Sequence, residues 1–236
     1  LDELTEGPWK PVGMHGALFV VDPDSNLWVA QSIDALIKQV AEMHDGKDHC
    51  NRSSDYKAIA GHAISLADDP EFFASAAVGI ACPDGFYQIE GGEIKNEPLM
   101  PKHRQRVMLP VAPAPEPTPQ FNAFLHETFG SDTPGEEEQQ VTLVQELAGA
   151  IMLGLMPRHQ KAVLFYEPFG RAGKGTLERI LRGLVPSRFV TALSPFKWSH
   201  DYHVAALAGS RLNVVGELPE NEAIPAAAFK SVIGGD

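Results

Sequence analysis

The sequence predicts an α+β protein, in which a mainly helical N-terminal domain with short hairpins precedes an α/β unit with a parallel sheet. Before residue 157, apolar residues recur mostly at helical spacing. After it, a continuous apolar run, 162–166, and a largely apolar run, 212–215, flank an amphipathic stretch. Such runs are typical of strands that are buried on both faces of a parallel sheet. We expect three segments: an N-terminal domain (1–118), a helical lead-in (119–157) and an α/β domain (158–236).

Two β-hairpins are predicted in the first segment. The runs ALFVV and LWVA flank the turn formers at 22–26, which indicates a hairpin over 17–29. A second hairpin turns on Gly91-Gly92, between Phe86–Ile89 and the stretch after Glu93.

Four helices are predicted before the third segment. One follows Ser32 as its N-cap, and a second covers the apolar positions from Tyr56 to Ala67. Prolines at 110–119 indicate an extended connector. It leads into a helix capped by Thr118, and the pair Thr133-Pro134 predicts the start of the next. The basic run 102–106 is expected to be a solvated strand face.

The strongest chemical pattern is the loop FGRAGKGT at 169–176, which lies between a predicted strand and an amphipathic helix. Glycines let backbone N–H groups approach a polyphosphate at a helix N-terminus, and a lysine adds a charge on the β/γ oxygens. We therefore predict a phosphate-binding loop for ATP. Its residues are Gly170, Ala172, Gly173, Lys174, Gly175 and Thr176.

The loop departs from the usual pattern G-x-x-x-x-G-K-[ST] at two positions. Pro168 occupies the first glycine position, and Gly175 stands where a hydroxyl that binds Mg²⁺ is expected. Thr176 lies one residue later, and the sequence leaves open whether it contacts metal, phosphate or neither.

An acidic residue at the end of a neighbouring strand would complete such a site by holding Mg²⁺ or polarising water. Glu217 follows the apolar run 212–215 and fits this role. We predict Lys174 and Glu217 as catalytic residues, with Thr176 and Glu217 as the Mg²⁺ ligands.

These motifs together resemble superfamily 3 helicases of the phage and plasmid primase type. The similar stretches are LVQELAGAIMLGL (143–155), GKGTLERILRGLV (173–185), LAGSRLNVVGELPEN (207–221) and, more loosely, ACPDGFYQIEGGEI (81–94). Lys230 to Asp236 looks like the opening of the hairpin that contacts DNA in that family.

The resemblance implies a P-loop (AAA+-like) ATPase core in a homo-hexamer that translocates on single-stranded DNA, driven by ATP and Mg²⁺. It implies that Lys230 approaches DNA and that a primase domain or replication proteins are partners. The resemblance also implies a core cut off at Asp236, before the sensor and arginine finger, so this stretch alone is expected not to unwind DNA.

Two alternatives from other classes stay open. The string GKGT also resembles nucleoside monophosphate kinases, although Glu217 has no obvious place in such an enzyme. The chain could instead be a non-catalytic replication scaffold with an inert loop.

The composition is that of an ordinary globular protein, with 44% apolar and 21% charged residues. The net charge of −12 argues against nucleic acid at first, but the acids concentrate in 1–157. Two cysteines are too few for a disulfide framework, and no apolar run reaches membrane-spanning length. We therefore expect a cytoplasmic protein without a membrane partner. The helicase resemblance implies a phage or plasmid origin in a bacterial host.

Overall fold

The computed structural model describes residues 9–44, 50–166, 170, 172–218 and 222–234. They form a mixed α+β fold with small sheets, which confirms the prediction that the protein combines helices with sheets. The chain divides into two compact units. The first comprises Leu1–Ala81 and Gly85–Val107, and the second comprises Cys82–Asp84 and Met108–Asp236.

The first unit contains a three-stranded antiparallel sheet made of β1 (Val12–Met14), β2 (Ala17–Val21) and β3 (Trp28–Gln31). The predicted hairpin over 17–29 is therefore confirmed. Alternate residues of β2 enter two different apolar clusters, because successive side chains of a strand point to opposite faces. Leu18 packs with the helices, whereas Phe19 packs with Trp28 and Phe73.

Two helices, α1 (Ile33–His44) and α2 (Ser53–Leu66), cover one face of this sheet. The predicted cap is present, since the Ala35 N–H donates to Ser32 Oγ at 3.1 Å. Leu36, Val40 and Ala60 are almost completely buried in the same cluster as Leu18.

A second sheet consists of β4 (Ile80–Cys82), β5 (Gly85–Glu90) and β6 (Glu93–Glu97). The predicted hairpin is present, with Glu90 paired to Glu93 across a two-residue turn. Gly91 and Gly92 have φ of 64° and 87°, the left-handed values that a tight hairpin turn requires.

The basic run 102–106 forms no strand, and its His103 is buried and its Arg104 half-buried, so the prediction of a solvated strand face was wrong for these residues. Lys102 and Arg106 are exposed, as predicted. The guanidinium groups of Arg104 and Arg106 lie 4.2 Å and 4.7 Å from the ring centroids of Phe72 and Phe73. His103 is 4% exposed, and its ring stacks on Phe86. Aromatic rings attract these cations, which a charge count along the sequence does not reveal.

The second unit begins with two helices, α3 (Pro119–Phe129) and α4 (Glu136–Leu153). Thr118 is the N-cap residue of α3, as predicted. The predicted cap of α4 at Thr133 was wrong, because the N-cap is Gly135. With φ of 82°, Gly135 lies outside the helical region, so regular helix starts only after it.

Among the described residues of the second unit, four further α-helices and two strands follow: α5 (Met156–His159), α6 (Lys174–Gly183), β7 (Val190–Thr191), α7 (Asp201–Val204), β8 (Leu212–Asn213) and α8 (Ala226–Gly234). β7 and β8 are parallel. Leu177 and Leu181 form the buried face of α6, as its helical spacing predicts.

The strand predicted at 162–166 is not formed, and the described residues do not show a P-loop core. This segment has neither strand nor helix, and Leu164 and Tyr166 are 73% and 80% exposed. An apolar run becomes a buried strand only where neighbouring strands bond to both of its edges. Within the described part of the chain, the parallel sheet has only β7 and β8, which pair with each other.

Among the helices of the described residues, none is both long and apolar enough to cross a lipid bilayer.

Candidate functional site

The predicted phosphate loop meets helix α6 at Gly173, which is the helix N-cap residue. The N–H groups of Thr176 and Leu177 donate to the Gly173 carbonyl at 2.9 Å and 3.0 Å. The N–H groups at the start of a helix point outward, and the helix dipole makes this end positive. Pro168, Phe169 and Arg171, which complete the motif, lie outside the described residues.

Gly173 is packed against α3. A Cβ atom at this position would lie 2.8 Å from Thr128 Oγ1 and 2.9 Å from Phe124 Cε2, and the residue has φ of 75°. Only glycine therefore fits without movement of these two side chains, and the left-handed backbone also favours glycine. By contrast, a Cβ atom at Gly175 would meet no neighbouring residue within 4 Å.

A cleft of 280 Å³ opens beside the loop within the second unit. Ala172 and Lys174 line it from the loop. Its other walls are α3, α4 and the extended segment 163–166, which contribute Thr128, Phe129, Gln140, Leu143, Val144, Leu147, Val163, Leu164, Phe165 and Tyr166. The wall is mainly apolar, and among the described residues that line it Lys174 is the cationic side chain.

The hydroxyl of Thr176 accepts a hydrogen bond from Arg179 Nη2 at 3.1 Å. A metal ion bound to this oxygen would have to displace the guanidinium, since two cations compete for the same lone pairs. The contact is exposed, so its rearrangement costs little.

Glu217 lies beyond β8 and is exposed. The segment that carries it is attached to α6 by Arg182. Arg182 Nη2 donates to the Val214 carbonyl at 3.1 Å, and its Nε donates to Glu178 Oε1 at 2.8 Å. A Cβ atom added to Gly216 would lie 3.9 Å from Glu178 Oε2, the second carboxylate oxygen. The structure therefore brings the residue before Glu217 next to helix α6.

Glu178 is a candidate that the sequence analysis missed. It lies one helical turn after Lys174 on the same side of α6. The four-residue spacing from Lys174 was visible in the sequence, but the proximity of Glu178 to the segment after β8 was not. Carboxylate oxygens are ligands that Mg²⁺ prefers, so Glu178 and Glu217 are chemically suited to this ion. Thr176 lies two positions from Glu178 and therefore on a different face of α6, so the structure does not bring these three residues together.

Lys230, the predicted DNA contact, is exposed on α8. The preceding residue, Phe229, stacks on Trp198 with ring centroids 5.7 Å apart. This stretch is helical up to Gly234, and the last two residues of the predicted hairpin opening, Gly235 and Asp236, lie outside the described residues.

Comparison with models of protein families gave no match, and comparison with curated proteins gave no similar sequence. The helicase resemblance therefore has only the motifs quoted above as its support.

Proposed function

We propose that this chain is the ATP-binding module of a replicative DNA helicase of the phage and plasmid type. The observation that carries the proposal is the placement of Lys174 at the positive end of α6, on the wall of a cleft that the same loop lines. Backbone N–H groups and an ammonium that converge on one space are suited to a polyphosphate.

In this proposal, the first N–H groups of α6 and Lys174 Nζ bind the phosphates. The residues suited to hold Mg²⁺ are Glu217 and Glu178, because Thr176, the other predicted ligand, lies on a different face of α6 from Glu178. Bound Mg²⁺ would neutralise charge that develops on the phosphate oxygens. Glu217 then orients the attacking water, and Arg182 positions the segment that carries it.

The wider role follows from the resemblance alone. It comprises a homo-hexamer, movement on single-stranded DNA, a primase or other replication partner, and a cytoplasmic location in a bacterial host. The exposed Lys230 is the proposed DNA contact, and residues 158–236 carry ten lysines and arginines against seven acidic residues.

Binding of the Mg²⁺ complex of ATP by isothermal titration calorimetry tests the proposal. Lys174→Ala is expected to weaken binding at least about tenfold, because it removes a charge-assisted contact to phosphate. Lys161→Ala, which removes an exposed lysine of the same unit, is the matched control and should bind as the unmodified chain does. Equal affinities of all three proteins, or no binding at millimolar ATP, would refute the proposal.

A non-catalytic scaffold is the second candidate, and one observation favours it. The segment 162–166 does not enter a sheet, and its Leu164 and Tyr166 side chains are exposed. Exposed apolar groups of this kind often contact protein partners. Failure to bind ATP, together with a stable complex with a replication protein, would favour this function. Formation of ADP from AMP and ATP would instead favour a monophosphate kinase.

A further inference from the structure

The hairpin formed by β5 and β6 carries an apolar pair that is largely exposed to solvent. Ile89 and Ile94 lie directly opposite each other on the two strands, and the exposed fractions of these residues are 71% and 75%. Side chains of directly opposite residues lie on the same face of a sheet, so the two isoleucines form one patch. Adjoining large apolar side chains that remain exposed indicate a contact surface.

The outer edge of β6 is open beside this patch. β6 is the last strand of its sheet, and its residues from Glu93 to Asn96 are exposed. Glu93 pairs with Glu90 across the two-residue turn, so its N–H and carbonyl face β5. Backbone groups alternate in direction along a strand, so those of Ile94 and Asn96 face outward. Within the described part of the chain, neither residue has a backbone partner on that side.

We propose that this edge pairs with the same edge of a second copy of the chain, antiparallel, in the register that places the two Ile94 residues opposite each other. The Ile94 N–H of each copy then donates to the Ile94 carbonyl of the other. The two hairpins become one four-stranded sheet, and Ile89 and Ile94 of both copies form a continuous row on one of its faces. This contact is two-fold symmetric, because both copies use the same surface.

The charges of β6 favour this register. On the face opposite the isoleucines, it places Glu93 of each copy directly across from Lys95 of the other. Opposite charges in directly opposed positions stabilise a strand pair. Lys95 is also paired with Glu90 within its own hairpin, so each lysine lies between two carboxylates in the dimer.

The neighbouring two-fold registers are less favourable. Pairing centred on Lys95 places the two lysines directly opposite each other, and like charges in this position repel. Pairing centred on Asn96 places Ile94 opposite Pro98, which has no N–H to donate to the ladder. The edge is therefore complementary to itself in one register, as a specific contact requires.

This self-complementarity is the reason to propose a second copy rather than a different protein. A ring such as the hexamer implied by the helicase resemblance joins two different surfaces at each contact, whereas this contact uses one surface twice. It is therefore a separate contact and does not rest on the proposed function. A single strand pair is smaller than the interfaces of stable complexes, so we expect weak association, with a Kd of about 10–100 μM.

Sedimentation velocity of the chain over concentrations from about 1 to 300 μM tests the proposal. We expect a reversible dimer in this range. Ile94→Lys should weaken its formation at least about tenfold, because it places two like charges at the two-fold axis. Val29→Lys adds the same charge at an exposed position of β3 and is the matched control, which should associate as the unmodified chain does.

An exchange of charges tests the register. Glu93→Lys and Lys95→Glu, each studied alone, place like charges opposite each other and should weaken association. An equimolar mixture of the two variants restores an opposite-charge pair at both positions and should recover the affinity of the unmodified chain to within about threefold. A variant that merely fails to fold cannot show this recovery.

Hydrogen exchange at the Ile94 amide reports on the contact itself. This N–H is bonded only in the dimer, so its exchange should slow several-fold as the protein concentration rises through the Kd. The Glu93 amide, which is bonded within the hairpin, should respond less. Absence of association over the whole range, association that Ile94→Lys leaves unchanged, or a mixture that binds no more tightly than the separate variants would each overturn the proposal.

Discussion

Gly173 lies where the phosphate loop, helix α6 and helix α3 meet. Its left-handed backbone and the short approach of Phe124 and Thr128 leave no room for a side chain. Gly175, two residues later, has helical backbone and open space around it. The two glycines of the loop therefore have different roles, although they look equivalent in the sequence.

Substituting these two glycines with alanine is expected to change stability in opposite directions. Gly173→Ala should lower the free energy of unfolding by about 1–3 kcal/mol, because it adds strain and a clash with α3. Gly175→Ala should raise it by about 0.4–1 kcal/mol, because alanine restricts the unfolded chain and favours helix. Urea denaturation measures both. Equal effects of the two substitutions would contradict the packing of Gly173.

His103 is expected to make the stability of the first unit depend on pH. Burial lowers its pKa below the ordinary 6.5, although Glu97 beside it acts in the opposite direction; Lys102 lowers it further. The unfolded chain then binds more protons at this site than the folded chain does. The free energy of unfolding should therefore be highest above pH about 6.5, where His103 is neutral in both states. It should decrease as the pH falls below that value, because protonation of His103 favours the unfolded chain.

Denaturation at a series of pH values from about 7 to 5 checks this expectation. His103→Asn keeps an acceptor for the Met100 N–H, which donates to His103 Nδ1 at 3.1 Å, and removes the titrating ring. The variant should have a lower free energy of unfolding than the unmodified protein, and this free energy should change less with pH. His62→Asn, at an exposed position on α2, should retain the slope of the unmodified protein. An unchanged slope in His103→Asn would contradict the assignment.

At the scale of elements, Arg182 joins α6 to the segment after β8. One guanidinium contacts Glu178 within the helix and the Val214 carbonyl outside it. A short parallel pair such as β7 and β8, with two residues in each strand, contributes few hydrogen bonds of its own. Side-chain contacts must therefore position the segment that carries Glu217. Asn213 acts similarly, since its side chain bonds with Thr191 and both backbone groups of Leu193.

Arg182→Met should lower the free energy of unfolding by about 1–2 kcal/mol, because both contacts are lost while the apolar stem is retained. Arg179→Met, which removes an exposed arginine from the same helix, should change it by less than about 0.5 kcal/mol. Thermal and urea denaturation measure the difference.

At the scale of the whole molecule, the stretch 110–118 is an exposed connection that leads into α3. Every residue from 110 to 118 is exposed, and its four prolines favour extended backbone. The boundary between the two compact units lies immediately before it, at Val107 and Met108.

Insertion of four Gly and Ser residues between Pro113 and Ala114 is expected to change the free energy of unfolding by less than about 0.6 kcal/mol, since lengthening an exposed loop costs little. The same insertion between Leu212 and Asn213 should be strongly destabilising, because it interrupts β8 and its pairing with β7. Calorimetric scans of the two variants make the comparison. A large loss from the first insertion would show that the connector is packed in solution.

The sequence alone determined the features that depend on neighbouring residues. The helices α1, α2, α3 and α6 follow from helical spacing and caps, and the two hairpins follow from their turn residues, because these signals act over a few positions. It also identified the loop at 170–176 and Glu217 as candidates. Only the tertiary structure decided what the apolar run 162–166 became, since a strand needs partners that are distant in the chain. In the same way, only distant contacts revealed Glu178 and the cleft beside Lys174.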